Sequence, residues 1–102
     1  MEIKTHIIKA EINPYYSRGY GNGYVGVPPG HPWHGKNYGD IEAAIHGGLT
    51  YDGDKAPDME SDGLWWLGFD TAHYGDTPEN RPESWLLEEV ENLKRQAEDA
   101  AK

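Results

Sequence analysis

Two short blocks hold the residue types that acid–base or metal chemistry needs. In Gly68 to Asp76 (GFDTAHYGD), Asp70, His73 and Asp76 recur at three-residue spacing. A carboxylate beside an imidazole fixes the ring tautomer, the pairing used in general-base catalysis. In His46 to Asp52 (HGGLTYD), an imidazole precedes Gly47 and Gly48. Bare backbone there lets a ligand approach closely, and free N–H groups can form an anion nest. His46, Asp70 and His73 are therefore the candidate catalytic residues. With Asp76 they also make a His2Asp2 donor set for one divalent metal. The competing reading is structural: a tight Gly-Gly hairpin with a half-buried His46, Asp70 capping a turn, and His73 satisfying a loop backbone group. No Gly-Lys-Ser/Thr follows the glycines, so the block is not a P-loop. No resident metal or cofactor is expected.

A second group of candidates lies upstream. In PPGHPWHGKNYGD, His31 and His34 flank Pro32 and Trp33. Proline forbids a regular helix here, and two imidazoles alone do not complete a metal site. A loop ordered by Trp33 packing is the simpler account. Tyr24, His31, Trp33 and Lys36 are nevertheless candidate ligand contacts, joined by His46, Gly47, Gly48, Thr50, Asp70, His73 and Asp76. Tyr15, Tyr16, Tyr20, Tyr38, Tyr51 and Tyr74 add rings that could stack on a base, or could pack over a thin sheet. Arg18, Lys36, Lys55 and Arg81 could neutralise a phosphate. DMESDG (Asp58 to Gly63) matches only the first half of an EF-hand loop, because Phe69 stands where the bidentate Glu is required. Ser17, Ser61 and Ser84 are the serines, and none sits in a nucleophile elbow.

These residues must be positioned by a chain of 102 residues, enough for a single domain, 1–102, with a modest core. Apolar residues make up 36%, but four Trp and seven Tyr bury much area per residue. The absence of Cys excludes disulfides, thiolate metal sites and a Cys nucleophile, and fits a reducing cytoplasm. A formal charge of −9 repels nucleic-acid polymers and anionic membranes, yet leaves room for local capture of a small anion. No apolar run is long enough for a signal peptide or a membrane span.

The expected elements are an edge strand over 2–12, a strand over Tyr24 to Val27, and a long loop over 28–40. A strand over 41–46 should break at Gly47 and Gly48 and resume from Leu49 to Tyr51. Residues 52–63 read as a solvated acidic loop, and 64–69 as a buried central strand leading into Asp70. Asn80 and Glu83 have capping-box spacing around Pro82 and predict a helix over 81–100. Its apolar stripe is Leu86, Val90, Leu93 and Ala97. The fold class is α+β: a small, mostly antiparallel sheet, long Gly/Pro-rich loops and one C-terminal amphipathic helix. If the strands at 41–46 and 64–69 were antiparallel neighbours, His46 and Asp70 would lie at opposite ends, unless the Gly-Gly break folds the chain back.

The blocks GYVGVPPGHPWHGKNY, IHGGLTYDG and WWLGFDTAHYGD, followed by an amphipathic helix, resemble a family of small bacteriophage and prophage proteins of unassigned function. The resemblance covers about residues 23–102. HGGLTY and GFDTAHYGD are its most specific parts, although Thr71 stands where family members often carry Cys. It implies a setting in the cytoplasm of an infected bacterium. Small phage proteins with such pockets commonly counter host defence, and several kinds sequester or cleave nucleotide signals. The expected partner is a small polar ligand, such as a cyclic nucleotide or an ADP-ribose derivative, bound by a monomer or a homo-oligomer. The alternatives are a His/Asp or metal-dependent hydrolase of such a nucleotide, and an acidic inhibitor that occupies a host protein.

Overall fold

Side-chain alternation along two neighbouring strands sorts the core into two faces. The computed structural model describes residues 2–11 and 13–102. In it the chain forms β1 (Lys4–Lys9), β2 (Gly21–Val27), a 3-10 turn (Tyr38–Asp40), β3 (Tyr51–Gly53), β4 (Trp65–Phe69) and α1 (Glu83–Ala100). The strands make one sheet in the order β1-β2-β4-β3, with every neighbouring pair antiparallel. The fold is therefore α+β, with a small antiparallel sheet and a C-terminal helix, as the pattern predicts.

Val25 and Val27 of β2 and Leu67 and Phe69 of β4 are buried in one cluster with Leu86, Val90, Leu93 and Ala97 of α1. The predicted stripe is thus the helix's buried face. Close approach depends on Gly23, where an added Cβ would lie 2.4 Å from a Val90 methyl. On the opposite face Tyr24 and Trp66 pack with Ala56, Tyr51, Met59 and Leu64.

Three local expectations are corrected. Residues 41–46 form no strand. The Gln96 side chain accepts from Ala44 N–H at 2.7 Å and donates to Ala44 C=O at 2.8 Å, while Glu89 accepts from His46 N–H. Helix side chains thus satisfy backbone that a neighbouring strand would otherwise satisfy. The acidic segment 52–63 is not simply a solvated loop: Tyr51–Gly53 is β3, and Ala56 is fully buried. Asp58 pairs with His6 at 2.7 Å, and Asp62 accepts from Trp66 Nε1 at 3.1 Å, so these acids tie the loop over the outer face. Asn80 does not cap α1, whose N-cap is Pro82 with no side-chain cap bond. Its amide instead accepts from Thr77 N–H and donates to the Gly75 carbonyl, closing the preceding loop.

Leu93→Ala should cost about 2–4 kcal/mol, because it leaves a void at the centre of the helix–sheet contact. Chemical denaturation reads this directly; stability near that of the parent would show that the stripe is peripheral.

Candidate functional site

The site is built where β4 ends. Thr50 N–H donates to Gly68 C=O and Tyr51 pairs with Gly68, so β3 begins beside the C-terminal end of β4. The residues just before β3 therefore meet those just after β4. A tight turn closes from Ile45 C=O to Gly48 N–H and swings His46 and Gly47 over His73. This is how His46 and Asp70 come together despite antiparallel strands: His46 precedes the strand rather than ending one.

Asp76 is the centre of the cluster and is almost fully buried. His46 Nε2 lies 3.0 and 3.1 Å from its two carboxylate oxygens. His73 donates its backbone N–H to Oδ2 at 3.0 Å, and its Nδ1 lies 3.2 Å from the same oxygen. The Arg81 guanidinium adds an ion pair, with Nε 3.3 Å from Oδ1. The His46 ring stands edge-on to both the His73 and Trp85 rings, with centroids 5.0 Å away in each case. Arg81 lies over the other part of this stack, 4.6 Å from the Trp85 ring centroid. Gly47 is required at its position: its φ is +70°, and an added Cβ would sit 2.1 Å from His73 Nε2.

Asp70 flanks the cluster. One of its oxygens accepts from Ala72 N–H, the other accepts from Thr50 Oγ1, and His73 Nδ1 lies 3.6 Å from Oδ1. The structure thus gathers His46, Gly47, Thr50, Asp70, His73 and Asp76. Gly48 lies in the same turn, but its N–H is spent on Ile45 C=O and cannot join an anion nest.

The upstream candidates lie elsewhere. Tyr24 is buried on the outer face of the sheet, its ring lying across bare Gly68. His31 is buried; its Nε2 donates to Ala97 C=O at 2.7 Å and its Nδ1 accepts from Trp33 N–H, so both ring nitrogens are engaged in holding the loop. Ala97 stands 12 positions beyond Trp85, roughly 18 Å along the helix axis. Trp33 is in the core, and Lys36 gives its carbonyl to Trp65 Nε1, at the far end of β4. HPWH is therefore a packing element: His31 and Trp33 are buried, and His34 Nε2 lies 3.3 Å from the Gly63 carbonyl.

Arg81 and Trp85 complete the cluster; Arg81 was read from the sequence only as a cation that could neutralise a phosphate, and Trp85 was not among the candidates. Their only sequence signal is position: Trp85 lies one residue before Leu86 of the buried stripe, and Arg81 just ahead of the helix. A hollow of about 390 Å³ opens over His73 and Asp76, lined also by Tyr16, Ser17 and Tyr74. A larger cleft of about 620 Å³ adjoins it through the shared Tyr16 and Ser17, and takes in Lys9, Tyr15, Arg18 and Tyr20.

Burial by itself raises the Asp76 pKa. The His46 hydrogen bond, then the backbone and imidazole of His73, outweigh it and hold the carboxyl below its ordinary value. A depressed folded pKa adds stability that is present above the unfolded value and lost as pH falls through the folded one. Asp76→Asn should therefore flatten the loss of stability below about pH 4. Denaturation curves across pH check this; parallel acid dependence in both proteins would contradict it.

Comparison of the chain with protein-family models, with curated proteins and with solved structures finds no match in any of the three.

Proposed function

We propose that this chain binds a small anionic ligand carrying aromatic rings, of the nucleotide class, in the cleft beside the His46–Asp76–His73 cluster. The observation that carries this reading is that the two hollows share Tyr16 and Ser17 as lining residues. One part offers tyrosine rings with Lys9 and Arg18; the other offers the His73 imidazole beside the Asp76 carboxylate. Tyrosine faces stack on bases of any sequence, and cations beside them neutralise phosphate. In a chain of charge −9 with nine basic residues, Lys9 and Arg18 against the one acid Glu11 make the larger cleft a local reversal of the overall field. Tyr15 and Tyr16 are largely exposed, as expected of rings without a partner in the free protein.

Read with the resemblance to small phage proteins, such binding would serve counter-defence, by sequestering a host nucleotide signal in an infected cell. The His–Asp–His arrangement favours one further possibility for the same ligand. Asp76 orients both imidazoles, so either could serve as general base toward water in cleavage of a phosphate or glycosidic bond.

Incubation with cyclic dinucleotides, cyclic trinucleotides and ADP-ribose derivatives, then chromatography of the released material, separates the outcomes. Intact ligand retained by the protein supports sequestration, and a new product supports hydrolysis. Absence of both across the panel would sink the nucleotide reading. Tyr16→Ala should weaken binding by about 1–3 kcal/mol, or roughly five- to 150-fold, with the fold unchanged. Unaltered affinity in this variant would move the ligand out of the cleft.

A further inference from the structure

We propose that His46, His73 and Asp76 form a site for one divalent transition-metal ion of the zinc type. The inference stands independently of the nucleotide reading. The three side chains offer two imidazole nitrogens and a carboxylate oxygen, all within 4.8 Å of one another. His46 Nε2 and His73 Nδ1 approach Asp76 at 3.0 and 3.2 Å. An ion with bonds of about 2.0–2.1 Å in tetrahedral geometry keeps its ligands about 3.3 Å apart, so small displacements admit it. Mixed imidazole and carboxylate donors suit zinc or cobalt, whereas magnesium and calcium prefer oxygen alone.

The donors are held from behind. His46 is packed edge-on to the Trp85 ring, and Glu89 accepts its backbone N–H. Asp76 is fixed by the backbone N–H of His73. Asp70, itself held by Thr50 and Ala72, lies beside His73 as a neighbouring carboxylate. Together the Asp70 and Asp76 carboxylates exceed the one Arg81 cation in the cluster, which favours a dication. The ion takes the place of the imidazole–carboxylate hydrogen bonds, and each imidazole carries its proton on its other ring nitrogen. The hollow that opens over His73 and Asp76 gives room for a fourth ligand from solvent, as sites with three protein ligands plus an open place require.

The test uses the full chain, stripped with a chelator and dialysed, then titrated with Zn²⁺ by calorimetry and with Co²⁺ by visible absorption. One ion per chain, a raised melting temperature and a tetrahedral Co²⁺ spectrum are expected. In imidazole NMR of the unmodified protein, the His46 and His73 signals should move with Zn²⁺, while those of His6, His31 and His34 stay. His46→Ala should lose at least about tenfold in Zn²⁺ affinity, and His34→Ala should lose none. No heat and no thermal shift at excess metal would overturn the site. So would movement of the His6 or His34 signals in place of His46 and His73, and so would unchanged affinity in His46→Ala. If His46→Ala does not fold, the NMR titration decides alone.

Discussion

The contact between α1 and the sheet is what the rest of the structure rests on. A four-stranded sheet of short strands cannot stand without cover on an apolar face, and α1 supplies it. Leu86, Val90, Leu93 and Ala97 fill that contact, and bare Gly23 lets the helix come close. The same helix then organises the loops. Its C-terminal carbonyl at Ala97 accepts a hydrogen bond from His31 Nε2, Gln96 pairs both backbone groups of Ala44, and Glu89 accepts the His46 N–H. A long connection with a single 3-10 turn is thereby tied to α1 through two helix side chains and one helix carbonyl.

The cluster around Asp76 follows from this arrangement. A buried carboxylate is tolerated only if its charge is met, and here two imidazoles, a backbone N–H and a guanidinium meet it. Those partners come from three segments: the loop before β3, the loop after β4, and the entry to α1. The cluster therefore links segments distant in the chain, besides whatever chemistry it performs. The segment before β2 is fastened to the same region, since Thr71 donates to Gly21 C=O from a fully buried position and Gly19 N–H donates to Thr71 C=O. The tyrosine cleft and the His–Asp hollow are adjacent because these bonds hold their walls together.

Much of the architecture was legible in the sequence because it depends on local patterning. The stripe of α1 recurs at three- and four-residue steps, and any burial of that helix must use that face. The run Leu64 to Phe69 is apolar on successive residues, which fits a strand covered on both faces, by α1 and by the 54–64 loop. Asp70, His73 and Asp76 were visible as a group because a loop of seven residues keeps them close whatever the fold. Pro82 marked the helix start, but Asn80 as a cap was misleading: its amide had nearer backbone partners in its own loop.

Residue types and local periodicity, then, determined the helix, its buried face, the class of the fold and the chemical character of the two blocks. Tertiary structure decided which of the candidate residues meet. Residues 41–46 have the composition of a strand, yet Gln96 and Glu89 bind their backbone, and no local signal distinguishes a helix side chain from a strand as the partner. Likewise, His31 and His46 are both imidazoles beside glycine. One is buried with both nitrogens used, and the other faces Asp76, because only the pairing of β3 with β4 brings the turn at His46 and Gly47 onto the end of β4. Hydrogen-bond satisfaction between segments distant in sequence is a property of the assembled chain, and so which of the candidate residues meet was decided there.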